Sequence, residues 1–507
     1  MSNRNLNILL IMSDDQGYWA MGCAGNNELI TPNIDKLAER GTLFKNFFCV
    51  SPVCSPARAS VFTGKIPSQH GIHDWIRGGH ASHSEISEDI MKYLGKEDVP
   101  WEYQWPLQQF QVSHSINYLE GHKTFTEILA ENGYKCGISG KWHLGNSTCP
   151  QAGFTYWKTT GLGGENYYYP TIVKNGKVTL EKNKYVTDII TENALNYIDG
   201  CITCKDDKPF FLSVHYTAPH SPWGREHHPK EIYSLYDDCE FKNVPYEKPH
   251  PWSGRNAGTE EEEFKKRKEC LQGYYTAITA MDNGIGQIIN RLEKYGILED
   301  TLIIFTSDNG MNMGHHGIWG KGNGTFPQNM YDTSVKVPMI ISRYNDGNRL
   351  KVCDELLSHY DLMPTILEYT GISNEISENL PGKSFAPLLM GQHMEQRGEV
   401  VIMDEYGPVR MIRTKEWKYV HRYPYGPNEL YDMVNDKNEK FNLIEDASKK
   451  DIIENMKLRL EKWFIKYADP KVDGRNEAVT GLGQINLAGI KNGGKKAFIG
   501  NKIPKYY

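Results

Sequence analysis

The chain has 507 residues, enough for one large domain and one smaller domain. Its 57 basic and 63 acidic side chains leave a formal net charge of -6, so charge gives no reason to expect a nucleic acid or an anionic membrane as partner. The 10 cysteines are scattered, and the close pair Cys201 and Cys204 lacks the second pair that a zinc site needs. We therefore expect ordinary thiols and neither a nucleic-acid nor a membrane partner.

The first apolar run, Asn7–Met12, is too short to span a membrane. It is followed by Asp14 and Asp15 and not by the small residues of a signal-peptide cleavage site. The run therefore predicts a buried strand. We expect a soluble protein, cytoplasmic as the sequence stands, or periplasmic or secreted if a signal peptide has been removed.

Further apolar runs alternate with helical patterns along the chain. The runs are Lys135–Ser139, Pro209–Val214, Thr301–Phe305 and Val337–Ser342, and the helical patterns are Thr31–Arg40, Thr124–Asn132 and Gly273–Tyr295. This alternation predicts an α/β fold with a large, mostly parallel or mixed sheet flanked by helices. Ligands bind such sheets beyond the carboxyl ends of the strands, so the polar residues that follow the runs should converge there.

The segment Asp74–His122 interrupts this alternation and is rich in histidine and aromatic residues. Two interpretations stay open, a wall of the ligand pocket or an irregular surface flap. In the first interpretation, His80 and Trp105 would contact substrate.

The composition changes near Gly391–Gly398. The patterns that follow predict three short strands and an amphipathic helix, at Val400–Met403, Val409–Arg413, Lys418–Tyr423 and Asp451–Tyr467. We expect a catalytic domain over residues 1–392 and a C-terminal α+β subdomain, built on an antiparallel sheet, over residues 393–507. The tail from Asp473 should be ordered by packing against the large domain.

Cys54 and Arg58 stand four residues apart and would share one face of a helix. Pro56 suits the first turn of that helix, which would place Cys54 at the N-terminus, where free N–H groups favour an anion. A lone cysteine is more often buried and inert. The remaining polar motifs decide between these alternatives.

Acidic residues follow two of the predicted strands. Asp14 and Asp15 close one, and Asp308 and Asn309 close another. Three carboxylates and an amide oxygen suit a hard cation, Ca²⁺ or Mg²⁺, which would also relieve the repulsion between the like charges. Each pair alone would be an ordinary turn.

Basic residues follow other strands or lie between glycines. Lys141, His143, His220 and Lys321, together with Arg58, could surround an anion and neutralise charge that develops in a transition state. Taken singly, Lys141 and Lys321 would be solvated surface lysines.

These motifs together resemble the formylglycine-dependent (type I) sulfatases of the alkaline-phosphatase-like superfamily. The first signature is Cys54-Ser-Pro-Ala-Arg58 with Thr63-Gly64, and the second is Gly140-Lys-Trp-His-Leu-Gly145. Ser307-Asp-Asn-Gly310 resembles calcium ligands of the family, and Asn428-Glu-Leu-Tyr-Asp432 resembles a segment of its C-terminal domain. One departure is Ala57, where many members carry serine.

The resemblance implies that a formylglycine-generating enzyme oxidises Cys54 to formylglycine (3-oxoalanine), whose hydrate attacks sulfur. It implies that Ca²⁺, or as the less favoured ion Mg²⁺, is held by Asp14, Asp15, the residue at Cys54, Asp308 and Asn309. Arg58 would support the diol, and His143 would orient or deprotonate it. Lys141, His220 and Lys321 would bind the sulfate, with His220 or Lys321 as the acid toward the leaving oxygen.

We therefore expect a sulfuric ester hydrolase that acts on a sulfated small molecule or glycan, most simply an O-sulfated carbohydrate, and releases inorganic sulfate. One alternative is a phosphonate or phosphate ester hydrolase that uses the same site. A second is a non-catalytic member that binds sulfated glycans.

Overall fold

A mixed eight-stranded sheet lies at the centre of the computed structural model, which describes residues 6–110, 112–204, 206–253, 260–344, 350–372, 379–395 and 397–500. The strands are β1 (Asn7–Ser13), β2 (Gly41–Phe44), β3 (Phe47–Phe48), β4 (Lys135–Gly140), β5 (Tyr156–Thr159), β6 (Thr171–Lys174), β7 (Lys177–Leu180), β8 (Phe210–His215), β9 (Thr301–Ser307), β10 (Asn312–Met313), β11 (Trp319–Gly320), β12 (Met339–Ser342), β13 (Val352–Cys353), β14 (Leu357–Ser358), β15 (Val400–Asp404), β16 (Val409–Arg413), β17 (Trp417–Arg422) and β18 (Glu429–Asp432).

The helices lie between these strands and mostly against the faces of the large sheet. They are α1 (Pro32–Arg40), α2 (Cys54–Thr63), α3 (Pro67–His70), α4 (Glu88–Met91), α5 (Trp101–Gln109), α6 (Phe125–Glu131), α7 (Val186–Thr203), α8 (Lys230–Tyr233), α9 (Glu260–Lys294), α10 (Asp332–Val335), α11 (Leu362–Tyr369), α12 (Ala386–Leu389) and α13 (Lys450–Tyr467). The three helical patterns predicted in the first 300 residues are found as α1, α6 and the second half of α9.

The large sheet has the strand order β13-β2-β12-β9-β1-β8-β4-β5. The strands from β9 to β5 run parallel, and β12 pairs antiparallel with both β9 and β2. The predicted α/β fold with a mostly parallel, mixed sheet is confirmed. The parallel strands end at one edge, so the loops that follow β1, β4, β8 and β9 meet there.

Strand β1 is buried on both faces because its alternate residues enter two different cores. Ile8 and Leu10 join the core under α2, α6 and α11, whereas Leu9 and Ile11 join the core under α1, α7 and α9. A side-chain period of two and a continuous apolar run together produce this double burial.

The segment that interrupts the alternation forms a packed lobe. Tyr103 and Phe110 at α5 are buried together with Leu162 and with residues of the β6–β7 hairpin, such as Val178. This small core holds α5 in place. The structure therefore does not support the interpretation of the 74–122 segment as an irregular surface flap.

The C-terminal strands β15 to β18 form the predicted antiparallel sheet, with β18 as a strand that the patterns did not identify. Val401 and Met403 pack against α13, whereas Val400 and Ile402 face the core of the large sheet. The division between residues 392 and 393 falls between α12 and β15 and stays a prediction.

The tail packs against the large domain, as expected. The buried Gln484 side chain accepts a hydrogen bond from the backbone of His73 at 3.0 Å and donates one to Gly71 at 3.0 Å. The backbone of Gln484 also exchanges hydrogen bonds with Trp75 and Arg77. The tail thereby fixes the segment 71–77. Among the helices of the described residues, none combines the length and apolarity that crossing a membrane requires.

Replacing Gln484 with alanine should destabilise the fold by roughly 1–3 kcal/mol, because the substitution leaves buried backbone groups of residues 71–73 without partners. Urea unfolding of both proteins measures this difference. Asn486→Ala is the control, since the hydrogen bond that its side chain donates to Lys496 lies at the surface. Equal stability of the two variants would contradict the anchoring role of Gln484.

Candidate active site

The carboxyl ends of β1 and β9 bring the predicted acidic residues together. Ser13 and Ser307 pair in register at the ends of these neighbouring strands, so Asp14 and Asp308 follow side by side. The Asp15 backbone N–H donates to the Asp308 carboxylate at 3.2 Å. Adjacent parallel strands therefore create the cluster that the sequence predicted.

Cys54 completes a cluster of possible metal ligands. One ligand atom from each of Asp14, Asp15, Cys54 and Asp308 lies within 4.8 Å of the others, and all four residues are buried. The fifth predicted ligand, Asn309, donates from Nδ2 to Asp15 Oδ1 at 2.8 Å. Carboxylate and amide oxygens at this spacing fit a hard divalent cation.

Helix α2 presents Cys54 and Arg58 to this cluster from one face, as the spacing predicted. Cys54 is the first residue of the helix, and its Sγ lies 3.4 Å from Asp14 Oδ1 and 3.9 Å from Asp15 Oδ1. The helix is buried along its whole length. Burial raises the pKa of the Cys54 thiol to about 12, so the unmodified thiol is neutral at pH 7.

Each carboxylate of the cluster has one cationic partner. The pairs are Arg58 Nε with Asp308 Oδ2 at 2.9 Å, Lys141 Nζ with Asp14 Oδ2 at 2.6 Å, and Lys321 Nζ with Asp15 Oδ1 at 2.5 Å. Burial alone would raise the pKa of Asp308, but the positive charges of Arg58, Lys141 and Lys321 together outweigh it and hold this pKa well below its usual range. The two lysines are buried and not solvated, because their partners lie in the site.

The Lys321 ammonium shows that the pocket accepts positive charge beside position 54. Its Nζ lies 2.8 Å from Cys54 Sγ and 3.3 Å from Asn309 Oδ1, in addition to its contact with Asp15. It therefore contacts three of the five predicted metal ligands. These contacts show that the oxygen atoms of the cluster suit a cation.

His143 has a defined tautomer. Its Nε2 lies 2.9 Å from the Ile76 carbonyl oxygen, which can only accept, so Nε2 carries the hydrogen. Burial, with the nearby Lys141 ammonium, holds the pKa of His143 well below its usual range. Its Nδ1 is buried and has no hydrogen-bond partner within the described part of the chain. His143 is thus a neutral imidazole with one nitrogen available to accept a proton.

His220 lies at the accessible side of the cluster. Its side chain is 28% exposed, and its Nε2 is 3.7 Å from Asp15 Oδ2. Its Nδ1 lies 2.8 Å from the Ser221 carbonyl oxygen and therefore carries a hydrogen. Nε2 is thus the nitrogen that faces the carboxylates.

The two residues of the 74–122 segment that were predicted to contact substrate lie in different environments. His80 is only 2% exposed, its ring lies 5.8 Å from that of His143, and burial lowers its pKa to about 4. A neutral His80 therefore supports His143, and its contact with substrate stays a prediction. Trp105 is 37% exposed and donates from Nε1 to the Gly164 carbonyl at 2.9 Å, which places it beside the site.

Three residues that were not among the predicted site residues shape the site: His215, Gly163 and Glu165. His215 and Arg58 both approach the Lys141 carbonyl oxygen, at 2.9 and 3.1 Å, and so fix the backbone that carries Lys141. Gly163 lies flat against the His143 ring, since a Cβ at this position would lie 2.1 Å from His143 Nε2. The carboxylate of Glu165 fixes that loop by accepting hydrogen bonds from Leu162 and Thr171. The Gly-Leu-Gly-Gly-Glu run was the available signal for a close backbone approach.

Arg58→Met should destabilise the metal-free protein by roughly 3–5 kcal/mol, because it leaves Asp308 as an unpaired buried charge. Urea unfolding in the presence of a chelator measures this cost. Lys123→Met is the control, since Lys123 and Glu131 form an exposed pair whose loss should cost less than about 1 kcal/mol. A cost for Arg58→Met as small as that of the control would contradict the assigned ion pair.

Several known proteins resemble this chain in sequence or fold. An N-acetylglucosamine-6-O-sulfatase from Bacteroides thetaiotaomicron is 26% identical, with 86% of this chain and 82% of the relative covered. A protein solved in complex with its substrate D-glucosamine-2-N,6-O-disulfate superposes with a TM-score of 0.71 at 24% identity, covering 93% of this chain and 100% of that chain. The phosphonate monoester hydrolase of Agrobacterium radiobacter superposes with a TM-score of 0.63 at 19% identity, covering 91% and 96%. The two structures share the fold of this chain.

Two family models match the sequence. The model described as Sulfatase matches residues 6–372, and the model described as N-sulphoglucosamine sulphohydrolase, C-terminal, matches residues 314–466. The first covers more than half of the chain and contains the whole cluster around Cys54. The chain therefore belongs to the sulfatase family of the alkaline-phosphatase-like superfamily, and the named sequence relatives that match it are sulfuric ester hydrolases.

Proposed function

We propose that the protein hydrolyses the sulfate ester of an O-sulfated carbohydrate at Cys54 and releases inorganic sulfate. The observation that carries the proposal is the position of Cys54 Sγ, which lies among the carboxylates of Asp14 and Asp15 and 2.8 Å from the Lys321 ammonium. The sulfatase relative that acts on N-acetylglucosamine 6-O-sulfate supports a carbohydrate substrate.

We propose that the acidic cluster holds Ca²⁺. Asp14, Asp15, Asp308, Asn309 and the residue at position 54 would be its ligands. A bound calcium ion would supply a Lewis acid that polarises the sulfate ester. The three buried carboxylates and their three cationic partners balance to zero charge, so a divalent ion would leave the site positive and suited to an anionic ester.

We propose that Cys54 is modified to formylglycine by a formylglycine-generating enzyme that recognises Cys54-Ser-Pro-Ala-Arg58. Once hydrated, this residue would supply an oxygen nucleophile. Arg58 Nη2 is buried and has no hydrogen-bond partner in the described ranges, so it is a donor available to the modified side chain one helical turn away.

The basic residues take separate roles in this proposal. His143 Nδ1 accepts a proton from the nucleophile, since Nε2–H is committed to the Ile76 carbonyl. The ammonium groups of Lys141 and Lys321 bind sulfate oxygens and stabilise the charge that develops on them. We assign the acid toward the leaving oxygen to His220, because its side chain is more exposed than that of Lys321.

A phosphonate or phosphate ester hydrolase is the second candidate function. The observation that favours it is the superposition on the phosphonate monoester hydrolase, whose fold is shared at 19% identity. The family models and the sulfatase relative favour the sulfate ester.

The Cys54 peptide from protein made in its native host should be about 18 Da lighter than the unmodified peptide, the difference between cysteine and formylglycine. Mass spectrometry measures the change, and the peptide of the exposed Cys149 is the internal control. Cys54→Ala should abolish turnover and leave the fold intact, because it removes the nucleophile. Full turnover with an unmodified Cys54 would contradict the proposal.

The purified protein should release sulfate from sulfated monosaccharides, and a chelator should suppress that release until Ca²⁺ is restored. Lys321→Ala should lower kcat by roughly 10²-fold if the ammonium stabilises the transition state, whereas Lys123→Ala, at an exposed pair, should not. A matched phosphodiester and a phosphonate ester serve as competing substrates. Turnover of the phosphorus esters alone would establish the second candidate instead.

A further inference from the structure

Trp105 is an exposed aromatic ring held rigidly beside the reaction centre. It lies on α5, whose neighbouring side chain Tyr103 is anchored in the core of the lobe. Its indole N–H donates to the Gly164 carbonyl at 2.9 Å, which fixes the ring against that backbone. At 37% exposure, part of the ring stays accessible to a ligand.

Gly164 separates Trp105 from His220. A Cβ at position 164 would lie 3.4 Å from Trp105 Cζ2 and 3.8 Å from His220 Cε1, which are ordinary contact distances. The neighbouring Gly163 lies against His143, as described above. The two glycines therefore form a strip that runs from the proposed base to a notch between His220 and the tryptophan.

The residues on either side of Gly163 and Gly164 fix the position of this strip. Leu162 is buried in the core of the lobe. The Glu165 carboxylate accepts hydrogen bonds from the Leu162 backbone at 3.0 Å and from the backbone and hydroxyl of Thr171, each at 2.6 Å. The lobe thus sets the distance between Trp105 and the reaction centre.

We propose that Trp105, Gly164 and His220 form the subsite for the leaving group, and that this subsite takes a pyranose ring. The inference rests on the proposed function, since His220 marks where the leaving oxygen lies. A pyranose presents a face of C–H bonds that an exposed indole ring can cover, while its hydroxyl groups stay in water. The missing side chain at position 164 leaves the ring room to lie between Trp105 and His220.

Trp105→Ala should lower kcat/KM for a sulfated monosaccharide by roughly tenfold or more, chiefly through KM, because a stacked ring contact is lost. The probe is the best substrate from a panel of hexose and hexosamine monosulfates. The kcat for 4-nitrophenyl sulfate, whose activated leaving group depends less on ring binding, should change less than about threefold. Trp105→Phe keeps a ring and should restore most of the loss.

Two further variants test the geometry. Gly164→Ala fits without a clash but fills the notch, so it should lower kcat/KM for the sugar sulfate chiefly through KM, as Trp105→Ala does, and should affect the aryl sulfate less. Trp101→Ala is the matched control, since Trp101 is exposed on the same helix and its ring packs against Tyr169. Thermal unfolding establishes that each variant is folded.

Unchanged kcat/KM for the sugar sulfate in both Trp105→Ala and Gly164→Ala would overturn the subsite and leave the sulfatase proposal standing. An equal loss of kcat on both substrates would also overturn it, because the residues would then act on the chemistry and not on the ring. If the wild-type protein released sulfate from no ester, the proposed function would fail, and this inference would fail with it.

Discussion

Three buried carboxylates at the ends of two neighbouring strands are the constraint on which the site depends. Asp14, Asp15 and Asp308 would repel one another in a low dielectric, and each is stable there only because a cation reaches it. The cations come from helix α2, from the loop after β4 and from a loop near β11. Charge compensation therefore requires five parts of the chain to meet at one edge of the sheet, and it leaves a site that a divalent ion would make electropositive.

The contacts that hold His143, the proposed base, extend to Gln484 in the C-terminal tail. Ile76 accepts the hydrogen bond of His143 at its carbonyl and donates its own N–H to the hydroxyl of Ser55, the residue after Cys54. The segment around Ile76 is fixed in turn by Gln484, through its side chain and its backbone. The tail thus stabilises the position of Cys54, the proposed nucleophile, relative to the proposed base His143. This explains why a glycine-rich segment is ordered so far along the sequence from the site.

The features that could be predicted from the sequence are those with a local pattern. Apolar runs and their polar ends identified the parallel strands β1, β4, β8 and β9, but not β5. A spacing of four identified the shared face of Cys54 and Arg58. Lys141 and Lys321, taken singly, were expected to be solvated, because their partners lie 127 and 306 residues away in sequence. The burial of His80, the strand β18 and the packing of the lobe likewise depend on contacts between distant segments. Nothing in the glycine run itself shows which glycine meets the His143 ring.

The proposed chemistry and the proposed selection of substrate are carried by different parts of the fold. The charged groups that balance one another lie at strand ends and on α2, where a change in one leaves another buried and unpaired. Trp105 belongs to a lobe with its own small core, and its indole N–H contacts the site through the backbone of Gly164. Residues of the lobe can therefore change which ring is bound without disturbing the charge balance around Cys54. A sulfatase built in this way can keep one reaction centre and vary the leaving group that it accepts.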